Sequence, residues 1–109
     1  MNAKNELLKV LNKISKSNQD ILCASITHEI YNWDEEDDIA EKFILKIGYS
    51  ENELSNFIDS LDFEYDNGYG TQYIFGEVLF KDNSWLEREE YDGSEWWAYR
   101  KFLIPDECK

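Results

Sequence analysis

Residues 76–97 read Gly76-Glu77-Val78-Leu79-Phe80-Lys81-Asp82-Asn83-Ser84-Trp85-Leu86-Glu87-Arg88-Glu89-Glu90-Tyr91-Asp92-Gly93-Ser94-Glu95-Trp96-Trp97. Branched and aromatic side chains alternate with polar ones, the period of half-buried strands, and two short polar breaks interrupt them. Asp92-Gly93 is a strong two-residue hairpin signal, because both central positions of a type I′ turn need positive φ. Asp82-Asn83 supplies the other turn. Strands over 72–80, 85–91 and 95–103 therefore form an antiparallel meander. Centring the second hairpin on Asp92-Gly93 sets Tyr91 opposite Ser94, Arg88 opposite Trp97 and Leu86 opposite Tyr99. Centring the first on Asp82-Asn83 sets Phe80 opposite Trp85 and Glu77 opposite Arg88. Arg88 is thus expected between a carboxylate and an indole.

Upstream, Ser50-Glu51-Asn52-Glu53 is a capping box, in which a hydroxyl and a Glu three residues on satisfy each other's backbone donors. Leu54, Phe57, Ile58 and Leu61 follow at helical spacing, and the helix ends near Asp59-Ser60. Phe63 and Tyr65 alternate with Asp62, Glu64 and Asp66, the pattern of a short half-buried strand, and Asn67-Gly68-Tyr69-Gly70 is a turn. Residues 2–17 form an amphipathic helix: Leu7, Leu11 and Ile14 make its apolar stripe, while Lys9, Lys13 and Lys16 share the opposite face. Residues 21–31 have strand character. Residues 43–47 read as a second strand stopped by Gly48, with a helix over 39–47 as the alternative. The resulting fold is α+β: an N-terminal helix, a central helix, and an antiparallel sheet ending in a three-stranded meander. The helices are expected on one face of the sheet. No repeat or linker divides residues 1–109, which read as a single domain.

Charge is segregated along the chain. The net charge is −13, yet residues 1–17 carry Lys4, Lys9, Lys13 and Lys16 against Glu6 alone. Between 48 and 80 there is no Lys or Arg beside the seven carboxylates Glu51, Glu53, Asp59, Asp62, Glu64, Asp66 and Glu77. Asp34-Glu35-Glu36-Asp37-Asp38 adds five consecutive acids, which repel one another and favour an exposed loop or a helix start. Such a field repels nucleic acid and anionic lipid and attracts basic surfaces. Seventeen aromatics are too many for a disordered acidic tail. The longest apolar run is four residues, so no membrane span fits, and the charged N-terminus lacks the apolar stretch of a secretory signal. A cytoplasmic setting is expected.

Catalytic and metal-binding patterns are sparse. His28 is the one histidine, and with Cys23 five positions away in the same strand the two side chains would lie on opposite faces. One His and the distant Cys23 and Cys108 cannot supply a zinc set. Cys23, among Ile21, Leu22 and Ala24, reads as a buried small hydrophobe; a disulfide to Cys108 is left open, and a reducing compartment opposes it. The acidic stretches lack the glycine and distal Glu of an EF-hand loop. No cofactor and no enzymatic activity are expected. The aromatics are the better lead. On the last strand Trp96, Ala98 and Phe102 point one way and Trp97, Tyr99 and Leu103 the other, so one set is core. The sharper expectation is that Trp97 and Tyr99, ringed by Glu87, Glu89, Glu90 and Asp92, anchor a protein interface.

The stretch 76–97, with the preceding Asp66-Asn67-Gly68-Tyr69-Gly70, resembles a hairpin pattern of small, largely uncharacterised phage and prophage proteins. The resemblance covers the C-terminal part only and carries over no catalytic residue. It implies a life in the cytoplasm of an infected bacterium, and by analogy a role like that of anti-CRISPR and anti-restriction inhibitors. Together with the charge, it suggests a non-enzymatic inhibitor that fills a basic nucleic-acid groove on a host defence complex, its carboxylates standing in for phosphates. The expected partner-binding residues are Glu35, Glu36, Asp37, Asp38, Glu51, Glu53, Asp59, Asp62, Glu64, Asp66, Trp97 and Tyr99. A solvated acidic face without a partner is the plain alternative. An immunity protein or antitoxin neutralising a basic nuclease would share the same charge logic. The Lys-rich face of residues 2–17 beside an acidic body also allows a homodimer.

Overall fold

The computed structural model describes residues 1–30, 39–66, 71–102 and 104–109. Helix α1 (Ala3–Lys13) leads through a short 3-10 turn into strand β1 (Ile21–Ile30), followed by β2 (Ile39–Leu45) and helix α2 (Glu51–Ser60). Strands β3 (Ile74–Phe80), β4 (Ser84–Tyr91) and β5 (Ser94–Lys101) close the domain. One antiparallel sheet takes the order β2-β1-β3-β4-β5, so the meander joins the sheet through β3 alongside β1. The α+β architecture is as expected from the sequence, and 39–45 is strand.

Helix starts follow local chemistry. Asn2 caps α1 by accepting the Asn5 N–H at 3.0 Å. Ser50 and Glu53 form the capping box of α2. Helix α1 stops at Lys13, earlier than the expected 17. Ser15 takes φ 60°, and the N–H groups of Ser15 and Lys16 turn back to Asn12 O and Leu11 O, a Schellman close.

Register decides which side chains meet. The β4–β5 pairing matches expectation, with Arg88 opposite Trp97 and Leu86 opposite Tyr99. The β3–β4 pairing does not: Leu79 faces Trp85, Val78 faces Leu86 and Glu77 faces Glu87. The turn is one residue longer than Asp82-Asn83, with Asn83 at φ 68° and its N–H bonded to Phe80 O. Since the side-chain period is two, that single residue moves Glu77 to the face opposite Arg88. Residues 63–65 are not a sheet strand either; they make one isolated bridge, Glu64 to Asn2, flanked by Ala3 N–Phe63 O at 3.0 Å and Tyr65 N–Met1 O at 2.9 Å.

Both helices pack on the same side of the sheet. Leu7 and Leu11 from α1, Leu54, Phe57 and Ile58 from α2, and Leu61 meet Ile21, Ala24, Ile26, Leu45, Ile74, Val78, Phe80 and Leu86 in one buried core. Each of these branched aliphatic or phenyl side chains contributes roughly 1.5–3 kcal/mol by leaving water, the Ala24 methyl less. Gly76 is required where β3 crosses β1: its φ is +134°, and a Cβ there would lie 2.0 Å from Ser25 O.

Candidate protein-binding surfaces

Helix α2 and the segment after it hold the described part of the expected acidic surface. Glu51 and Glu53 stand exposed in the first turn of α2, and Glu53 spends one oxygen on the Ser50 N–H at 3.1 Å. At about 100° per residue the two lie on opposite flanks of the helix's outer face, with Asp59 between them. They do not form a ladder. Three of the acids are met by the chain's own N-terminus. Lys4 pairs with Asp59 at 2.8 Å, which raises the lysine pKa, and Asn2 donates to Asp62 at 2.8 Å. The terminal ammonium lies 3.3 Å from Glu64. Glu51, Glu53 and Asp66 have no ion pair among the described residues. Glu35, Glu36, Asp37 and Asp38 lie outside the described residues, as do Asn67 to Gly70 and Leu103.

Trp97 and Tyr99 are not exposed anchors. Both point to the helix side; Trp97 is 7% exposed, and Tyr99 is half-buried edge-on against Phe80. The sequence signal for this was the row itself: Tyr99, Leu86, Val78 and Ala24 stand side by side across four strands, an unbroken apolar line. Over the Trp97 ring, 5.0 Å from its centre, lies the Arg88 guanidinium. Arg88 is buried with Glu95 and Glu6, at 2.8 and 3.1 Å, and also donates to the Tyr65 hydroxyl at 2.7 Å. Tyr65 in turn donates to Glu6. Glu95 further accepts the N–H groups of Tyr73 and Ile74 at 2.7 and 2.9 Å. Burial works against the Arg88 charge, but Glu6, Tyr65 and Glu95 outweigh it and its pKa is raised. Burial first, then the bond to Glu6, pushes the Tyr65 phenol far up. Arg88 does meet Trp97 as expected, but its carboxylates are Glu95 and Glu6, not the expected Glu77. Glu6 is 82 positions from Arg88, a separation no local pattern reveals.

No family model matches this chain, and no curated protein or solved structure does. Among the described residues no group of three or more His, Cys, Asp or Glu could hold a metal ion, and no helix is long and apolar enough to cross a membrane. His28 and Cys23 do lie on opposite faces. His28 stacks on Phe63 at 4.2 Å, and burial lowers its pKa against the pull of Glu41 and Glu95. Cys23 is half-buried rather than buried, because among the described residues no helix covers its strand face; both thiols are free.

Among the described residues no helix packs over that second face of the sheet. It presents Ile44, Leu79 and Trp96 at 57%, 40% and 40% exposure, with Trp85 half-buried beside Leu79. Sequence reading did not assign it to the site, because it placed the exposed aromatics on the wrong side of β5. Arg100 lies beside Glu87 at 2.9 Å and also pairs with Glu89, and these contacts raise its pKa.

Proposed function

We propose that this chain is a non-enzymatic binding protein whose anionic surface takes the basic surface of another protein. The finer reading is an inhibitor of phage type, of the anti-CRISPR or anti-restriction kind, that occupies a nucleic-acid groove in a bacterial host's cytoplasm. The observation that carries it is the cation deficit: Glu51, Glu53 and Asp66 stand without an ion pair among the described residues, in a segment that has no Lys or Arg. Carboxylates held on a folded scaffold can collect the Arg and Lys contacts that phosphates would make, and they speed encounter at low salt. The N-terminal pairing of Asp59, Asp62 and Glu64 narrows the contact set to Glu51, Glu53, Asp66 and the acids at 35–38.

Capture of partners from a bacterial lysate, repeated with competing duplex DNA and at rising salt, tests this reading. The expected partner is a nucleic-acid-binding protein released by either treatment, and retained poorly by the Glu51→Gln, Glu53→Gln, Asp66→Asn variant. A partner that holds duplex DNA and this chain together overturns the mimicry. A small basic nuclease as the partner gives the immunity reading instead.

A further inference from the structure

An antiparallel sheet covered on one side keeps its other side polar when that side faces only water. Here the uncovered side carries Ile44, Leu79 and Trp85 side by side along two clefts, and exposed apolar groups gathered in this way mark contact surfaces. Two clefts run along either side of Leu79 and Glu77. One, of about 450 Å³, is lined by Leu22, Leu79 and Trp85 together with Glu77 and Glu87. The other, of about 550 Å³, is lined by Cys23, Ile44 and Ile47, with Lys46 beside Glu77.

The charges around the first cleft say what fits it. Glu77 sits directly opposite Glu87, a cross-strand pairing of like charges that costs stability. Arg100 is shared between Glu87 and Glu89, and Glu77 has no ion pair among the described residues. Ser25, the neighbour of Glu77 on β1, brings no charge. In the first cleft Glu77 and Glu87 therefore share an apolar floor, with Arg100 already divided between Glu87 and Glu89, while Lys46 lines the second cleft on the other side of Glu77. The complementary group has an apolar stem and a positive head. A guanidinium suits it better than an ammonium, because its plane stacks on an indole and its fork reaches two carboxylates at once. A phosphate or anionic lipid is repelled, and a second copy laid face to face would bring the same carboxylates together.

We propose that the open face of the sheet is a docking surface for an extended protein segment carrying an arginine between aliphatic residues. The guanidinium lies over Trp85 between Glu77 and Glu87, and the aliphatic neighbours cover Leu79 and Ile44. This rests on the reading above only in taking a basic protein as partner; the contact is on the sheet, not on α2.

The probe is an acetylated, amidated Gly-Leu-Arg-Leu-Gly peptide, with citrulline in place of arginine as the neutral control, titrated into the whole labelled chain and followed by amide and indole NMR shifts. Shifts centred on Leu22, Glu77, Leu79 and the Trp85 indole are expected. Citrulline should weaken binding about tenfold, as should Glu77→Gln, which leaves the fold intact. Absence of shifts overturns the proposal, as does equal binding of the citrulline peptide. Shifts centred on Glu51 and Asp66 overturn it in favour of the α2 surface, and shifts that grow with protein concentration alone assign the face to self-association. Loss of lysate capture through Glu51, Glu53 and Asp66 leaves this result untouched, so the two readings fail separately.

Discussion

On β4, Leu86 points under the helices and is fully buried, while its neighbours Trp85 and Glu87 point to the bare side and remain partly exposed. The two faces of one sheet are thus built on different rules. The covered face is apolar and satisfies its few charges completely: no buried side-chain polar atom among the described residues lacks a partner. The bare face keeps large apolar groups beside a like-charged cross-strand pair, Glu77 opposite Glu87. Packing explains the first arrangement. The second costs the free chain stability, which is what a surface retained for contact looks like.

The comparison can be broken most forcefully at Arg88. Arg88→Met leaves Glu95 and Glu6 buried without their cation, and should cost about 3–5 kcal/mol in urea-monitored unfolding. A cost under about 1 kcal/mol would mean that the covered face tolerates unpaired charge after all. Next comes the paired truncation across the sheet. Leu86→Ala should lose about 2–4 kcal/mol, while Leu79→Ala, on the bare side, should lose about 0.5 kcal/mol or less. Equal losses would erase the distinction between the faces.

A smaller effect follows from His28 on the covered face, with Glu41 and Glu95 as the charges nearest it. Its folded pKa lies below the ordinary 6.5, so the unfolded chain takes up a proton first as pH falls. That contribution to stability is complete above 6.5 and is lost as pH drops from there toward the lowered folded value. His28→Gln should flatten this part of a stability–pH curve, and an unchanged slope would place the acid sensitivity elsewhere. The smallest effect sharpens the account of the bare face. Glu77→Gln should raise stability by about 0.2–0.5 kcal/mol by relieving its opposition to Glu87, measured as a small upward shift of the unfolding midpoint. A loss would show that Glu77 already has a stabilising role in the free protein.

Much of the fold was legible because it is local. The Ser50 capping box, the 54–61 stripe and the Asp92-Gly93 turn each specify their geometry within a few residues. The β3–β4 hairpin was misread by one residue, since Asp82-Asn83 does not announce a three-residue turn. Of the candidate site, the acids on α2 were found by charge alone. The pairing of Asp59 with Lys4, and the contacts of Asp62 and Glu64 with Asn2 and the terminal ammonium, were hidden by some 55 or more positions of intervening chain.

By itself the sequence determined the two helices and the strands of the meander, which residues alternate along each of those strands, and that the chain carries excess negative charge. Period, capping chemistry and composition act over short distances and need no partner. Only the tertiary structure decided which side of the sheet the helices cover, and with it that Trp97 is core, that Arg88 is neutralised by Glu6 and Glu95, and that Trp85 and Leu79 face outward. A strand has two faces of equal standing until something packs on one of them.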